Sequence, residues 1–124
     1  MKKFLLSRLE SFRYAFQGWN YVLKNEKNSW IHAFFSLAVL FLAFWVHLPA
    51  RDWVSLLFAI ALVWAAEFFN TAIEALVDLA SPEQNPLAKV AKDVAAAAVL
   101  ITALTSILIG LLILAPPLWE MLFS

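Results

Sequence analysis

Glu67, Asn70, Glu74 and Asp78 stand at offsets of zero, three, seven and eleven along one stretch, E-F-F-N-T-A-I-E-A-L-V-D. At about 3.6 residues per turn these positions share one helix face, so three acids and an amide form a single stripe. The stripe follows fourteen uncharged residues, Trp53 to Ala66, and the apolar pattern runs straight through it. A carboxylate at membrane depth costs several kcal/mol. Acids kept there against that cost suit work that needs a fixed negative charge, such as taking a proton or holding a cation. Two further polar clusters flank this one. Glu26 lies in Asn25-Glu26-Lys27-Asn28-Ser29, and Lys89, Lys92 and Asp93 lie three and four apart on one helix face. Each has an ordinary reading alone: Glu26 as a surface charge on a turn, Lys89 and Asp93 as an i,i+4 ion pair.

The elements that carry these residues are helical and mostly apolar. The chain has 124 residues, 64% of them hydrophobic, and a mean hydropathy of +0.80. A soluble domain has roughly 45–50% apolar residues, so this reads as an all-α integral membrane protein. Net charge is zero, and nothing points to nucleic acid as a partner. There is no cysteine, which excludes disulfides and thiolate metal sites. The two glycines, Gly18 and Gly110, make no glycine-rich phosphate loop.

Met-Lys-Lys-Phe-Leu-Leu begins like a signal peptide, but Arg8, Glu10 and Arg13 interrupt the apolar run. Leu5, Leu9, Phe12, Phe16, Trp19 and Leu23 recur at four and three instead. That spacing predicts an amphipathic surface helix over residues 1–29 with its polar turn, flanked by Lys2, Lys3, Arg8, Arg13 and Lys24. Its apolar face suits a headgroup layer, the protein's own spans, or both. Gly18 marks a break or a close approach. A first span is expected over 30–48, about 28 Å long, with Trp30 and Trp45 near its ends. His32 and His47 read as polar anchors rather than metal ligands. Pro49 to Asp52 is a tight connection, and a second span runs over 53–79. Residues 80–93 form a loop and helix start, with Asn85 as N-cap and Pro86 at the first helical position. A third span covers 94–115, carries the small stripe Ala91, Ala95, Ala98 and Thr102 for close helix contact, and ends at Pro116-Pro117.

Six of the nine Lys and Arg precede residue 30 and two follow span two, leaving only Arg51 on the other side. The positive-inside rule then puts the N-terminus and residues 80–93 in the cytoplasm and the C-terminus outside, in a multi-pass cell-membrane protein. All three polar clusters meet at one membrane surface, on the side where ATP is. A channel would spread polar groups through the bilayer, and the middle thirds of spans one and three are read as offering none. A non-catalytic scaffold would tolerate loss of Glu67 and Glu74. One protomer of three helices is expected not to shield the acidic stripe alone, which predicts a homo-oligomer.

Glu67 to Asp78, followed by Ala91-Lys92-Asp93, resembles the signature of the prokaryotic integral-membrane diacylglycerol kinase and undecaprenol kinase family. The resemblance covers nearly the whole chain. It implies transfer of the γ-phosphate of ATP to the hydroxyl of a membrane lipid, with Mg²⁺, by a homotrimer whose sites lie between protomers. It implies Glu67 as general base, with Asn70 and Asp78 also catalytic. Glu26 and Glu74 match metal-linked carboxylates. Lys92, Asp93, Glu83, Lys89 and an N-terminal arginine, Arg13 or Arg8, match nucleotide-side positions. Ser81-Pro82-Glu83 and Pro86-Leu87-Ala88-Lys89 look more like the undecaprenol kinase branch, so undecaprenol is the expected acceptor and diacylglycerol the alternative. Gln84-Asn85 stands where many relatives have an aromatic and His, and Ala95 to Ala98 lacks a glycine that relatives often have. Glu67 lies roughly 10 Å along the axis from Glu74, which suits a base set apart from a metal.

Overall fold

The computed structural model describes residues 1–124, apart from the side chain of Lys2, so that basic group lies outside the described residues. Four helices follow one another: α1 (Lys2–Asn25), α2 (Lys27–Trp45), α3 (Ala50–Ala80) and α4 (Pro86–Phe123). The last three are each long and apolar enough to cross a membrane.

The helices α3 and α4 form an antiparallel hairpin that organises the rest. At one end Lys92 donates to Asp78. Mid-length, the Ser106 hydroxyl donates to the Ala59 carbonyl at 3.0 Å. At the other end Leu56 and Leu114 pack with Ala43 and Leu48 in an apolar core that α2 completes. Ala95 and Val99 are buried on α4, while Ala98 of the same small stripe faces outward. Polar groups therefore do occur in the middle of the spans, contrary to expectation. Ser36 accepts from the Trp64 indole at 3.2 Å, and Ser106 bonds as above. They tie helix to helix, which hydroxyls do cheaply by bonding to partners within reach.

The junctions are tighter than the sequence suggests. The polar turn at residues 25–29 shrinks to one non-helical residue, Glu26, in extended conformation. Its amide donates to Val22 O at 2.8 Å, and Ser29, fully buried, donates its hydroxyl to Glu26 O at 2.6 Å. Trp30 adds an indole bond to Leu23 O at 2.8 Å. Polar residues that signal a turn here serve as the fasteners of two abutting helices. Gly18 neither breaks α1 nor is approached closely; a Cβ there would meet nothing within 4 Å.

Helix α2 ends earlier than the apolar run, at Trp45, in a Schellman motif. Leu48 N–H donates to Ala43 O at 3.0 Å and His47 N–H to Phe44 O at 3.2 Å. His47 takes the left-handed position, with φ 53°. Helix α3 begins at Ala50, so Arg51 and Asp52 lie in its first turn, where an acid faces the positive end of the helix dipole. Asn85 caps α4, its side chain accepting from Leu87 N–H at 2.9 Å, with Pro86 next. Pro116-Pro117 does not end α4, which continues to Phe123. A proline ring removes a donor but keeps helical φ, and an apolar setting offers the backbone no better partners.

Most of α1 touches little. Leu5, Leu9, Phe12 and Phe16 are exposed. Only its last turns dock, where Trp19 meets Trp64 and Phe68 with ring centroids 5.1 Å apart in each case.

Candidate active site

Helix α3 turns its acidic stripe toward α2 and α4, and burial grades along it. Glu67 is 2% exposed and Asn70 7%, Glu74 is half-buried and Asp78 exposed. The expectation that one protomer cannot shield the stripe is overturned at its deep end, because the hairpin with α4 and the close crossing of α2 already enclose Glu67 and Asn70.

A cleft of about 320 Å³ opens on this face, with Glu26, Asn28, His32, Glu67, Asn70 and Glu74 among its lining residues. The single-residue junction is what brings Glu26 here, since it holds the α1–α2 corner against α3. The Asn70 amide donates to Glu74 Oε1 at 3.3 Å, while Asn70 Oδ1 is buried without a partner. Thr71 donates to the Glu67 carbonyl at 2.9 Å, which ties the side chain to its own helix. Burial first, and then the charges of Glu74 and Glu67, push the Glu26 carboxyl above its usual range.

The remaining candidates lie elsewhere. Asp78, Glu83, Lys89 and Lys92 line a second, larger cleft of about 700 Å³ beside the α3–α4 loop, together with Gln84 and Asn85. The stripe therefore divides: its last acid belongs to this second cleft. Lys92 is held by Asp78, and Lys89 pairs with Asp93 as the ordinary i,i+4 reading has it. Asp93 lines neither cleft. Arg13 is exposed on α1 and lines neither cleft, and Arg8 sits over the Phe4 ring at 5.2 Å. Neither arginine reaches the acids, because α1 docks only beyond Trp19.

His32 is the residue that reasoning from sequence set aside. Its Nε2 lies 3.8 Å from Glu67 Oε2, and it is buried without a hydrogen-bond partner among the described residues. Position gave no signal for it: six residues after Glu26 is about 120° around a helix, so the contact depends on how α2 packs against α3.

The residues present fit a divalent cation in part. Among the described residues no cluster of three or more His, Asp or Glu stands ready as a full cage. Mg²⁺ needs no such cage; it takes one or two carboxylates and completes its shell with water and phosphate oxygens. Glu26 and Glu74 line one cleft beside the unpartnered Asn70 oxygen, which suits that mode.

An all-α chain of three membrane-crossing helices, with carboxylates gathered in a cleft near one end, defines a class of small integral-membrane protein with a polar site. A family model described as prokaryotic diacylglycerol kinase matches residues 13–114, and the chain belongs to that family of prokaryotic lipid kinases. It is 40% identical to a diacylglycerol kinase of Synechocystis sp. over 115 residues, 92% of this chain and 66% of the relative, just under two thirds of that relative's length. It is 41% identical to an undecaprenol kinase of Bacillus subtilis over 109 residues, 88% of this chain and 89% of the relative. A diacylglycerol kinase of Escherichia coli is 36% identical over 72 residues, 58% of this chain and 59% of the relative.

Proposed function

We propose that this protein transfers the γ-phosphate of ATP to the hydroxyl of a membrane lipid, with undecaprenol as the acceptor. The observation that carries the reading is the buried Glu67 carboxylate lining a cleft whose other acids are Glu26 and Glu74. A lipid hydroxyl reaching that depth meets a carboxylate able to take its proton as the oxygen attacks phosphorus. Glu26 and Glu74 would hold Mg²⁺, which when bound offsets phosphate charge. Lys92 offers a compact positive charge to the nucleotide phosphates, with Asp78, Glu83, Lys89 and Asp93 around it.

Within one chain Glu67 and Lys92 line different clefts. That separation supports a site completed by a neighbouring protomer, and we take the assembly to be a homotrimer. The same reading puts the clefts on the cytoplasmic side, as the Lys and Arg distribution favours.

The similarity to the undecaprenol kinase of Bacillus subtilis, which extends over most of both chains, favours undecaprenol. The diacylglycerol kinase of Synechocystis sp. supports diacylglycerol as the second reading. Purified protein in bilayers, given ATP, Mg²⁺ and each lipid in turn, tests both. Faster phosphorylation of undecaprenol is expected. Phosphorylation of diacylglycerol alone would reverse the acceptor, and of neither would overturn the reading.

A further inference from the structure

The cleft contains one half-buried titratable side chain that the reaction just described does not use. His32 enters it from α2, opposite Glu67. Its Nε2 is buried, has no hydrogen-bond partner, and lies 3.8 Å from Glu67 Oε2. A buried polar nitrogen left without a partner is destabilising, so a neighbour within easy reach is its natural bond. Closing to about 3.0 Å turns this contact into a hydrogen bond. Trp64 packs edge-on against the His32 ring, with ring centroids 6.4 Å apart. Trp64 is itself fixed by its bond to Ser36, one turn after His32 on the same helix, and by Trp19 on its other side. Three helices thus place an imidazole beside a carboxylate that has no other side-chain partner among the described residues.

We infer that His32 is a positioning residue for the reaction: its Nε2–H donates to the Glu67 carboxylate and holds one oxygen turned toward the lipid hydroxyl. This rests on the lipid-kinase reading, with Glu67 as the base. A carboxylate with two free torsions presents either oxygen, or neither, to its substrate. One donor bond fixes which oxygen is engaged and leaves the other to take the proton. The proton passes from the lipid hydroxyl to Glu67, and His32 keeps its own throughout.

A residue that acts by donating one hydrogen bond is replaceable by another donor at the same reach. His32→Gln puts an amide N–H near the position of Nε2, and His32→Leu keeps bulk without a donor. In the bilayer assay His32→Leu is expected to lower kcat by roughly tenfold or more, the worth of a hydrogen bond to a charged group, with KM for ATP unchanged. His32→Gln is expected to stay within about threefold of the parent. Loss of activity in both variants, or retention in both, overturns the inference, as does an effect on KM alone. A second measurement does not depend on turnover. The chain has two histidines, so ¹⁵N-histidine spectra of the protein in micelles are readily assigned with a His47→Asn variant. Glu67→Gln should shift the His32 Nε2 resonance and leave His47 in place. An unmoved His32 resonance overturns the contact even if the lipid-kinase reading stands. A shifted one supports the contact even if no lipid is phosphorylated.

Discussion

At the scale of single residues, the acids explain themselves by depth. Glu67 is enclosed, Glu74 is half-buried, and Glu26 is drawn in from a helix junction. Glu26→Ala and Glu74→Ala should each weaken Mg²⁺–ATP binding far more than lipid binding. Nucleotide titrations at several Mg²⁺ concentrations check this, and unchanged metal dependence in both variants would remove the shared-metal assignment. Glu26 also makes a pH-dependent prediction for the metal-free protein. Folding raises its pKa, so its contribution to stability is complete below the usual carboxylate range and is lost as pH rises through the raised value. Once pH has risen through that value the ionised side chain costs stability, first through burial and then through the charges of Glu74 and Glu67. Glu26→Gln should be modestly more resistant to denaturant than the parent at neutral pH with chelator present, and the gap should close on acidification. A gap that widens on acidification would contradict the assignment. The stripe itself was legible because helical periodicity is a property of one element. The His32–Glu67 contact was not, because it depends on how α2 is rotated against α3, which no local pattern encodes.

At the scale of elements, capping chemistry was more legible than the ends of apolar runs. Asn85 before Pro86 marks a helix start by hydrogen-bond geometry alone, and α4 begins there. The Asn25–Ser29 stretch and Pro116-Pro117 misled for one shared reason. Both are local helix-breaking signals, and packing or an apolar setting overrides such signals when the backbone keeps its bonds. The Schellman end of α2 gives an independent test. His47 adopts a left-handed conformation that costs a residue with a Cβ about 1–2 kcal/mol. His47→Gly should stabilise the protein by about 1 kcal/mol, read as a shift in its unfolding midpoint in mixed micelles. A loss of stability of that size would mean that the imidazole makes bonds that outweigh the strain.

At the scale of the whole molecule, one chain gathers Glu26, Glu67 and Glu74 but leaves Lys89 and Lys92, with Asp78, in a neighbouring cleft. A Glu67→Gln protein mixed with a Lys92→Ala protein, both inactive alone, should regain activity once subunits exchange. Some mixed assemblies then hold one complete site. Failure to recover after exchange has been verified by cross-linking would put both residues in one protomer's site. The membrane class was plain from composition and the family from the string Glu67 to Asp78 with Lys92-Asp93. The division of site residues between two clefts was not, because it follows from the crossing of α3 and α4 rather than from either helix. The central claim is that Glu67 takes the proton of a lipid hydroxyl during phosphoryl transfer. It is tested most directly by following the γ-phosphate of labelled ATP in bilayers containing undecaprenol and Mg²⁺. Label should pass to the lipid with the parent protein. With Glu67→Gln, folded and still binding nucleotide, transfer should fall by about 10²- to 10⁴-fold, the usual worth of a general base. Transfer at the parent's rate by Glu67→Gln would contradict the account.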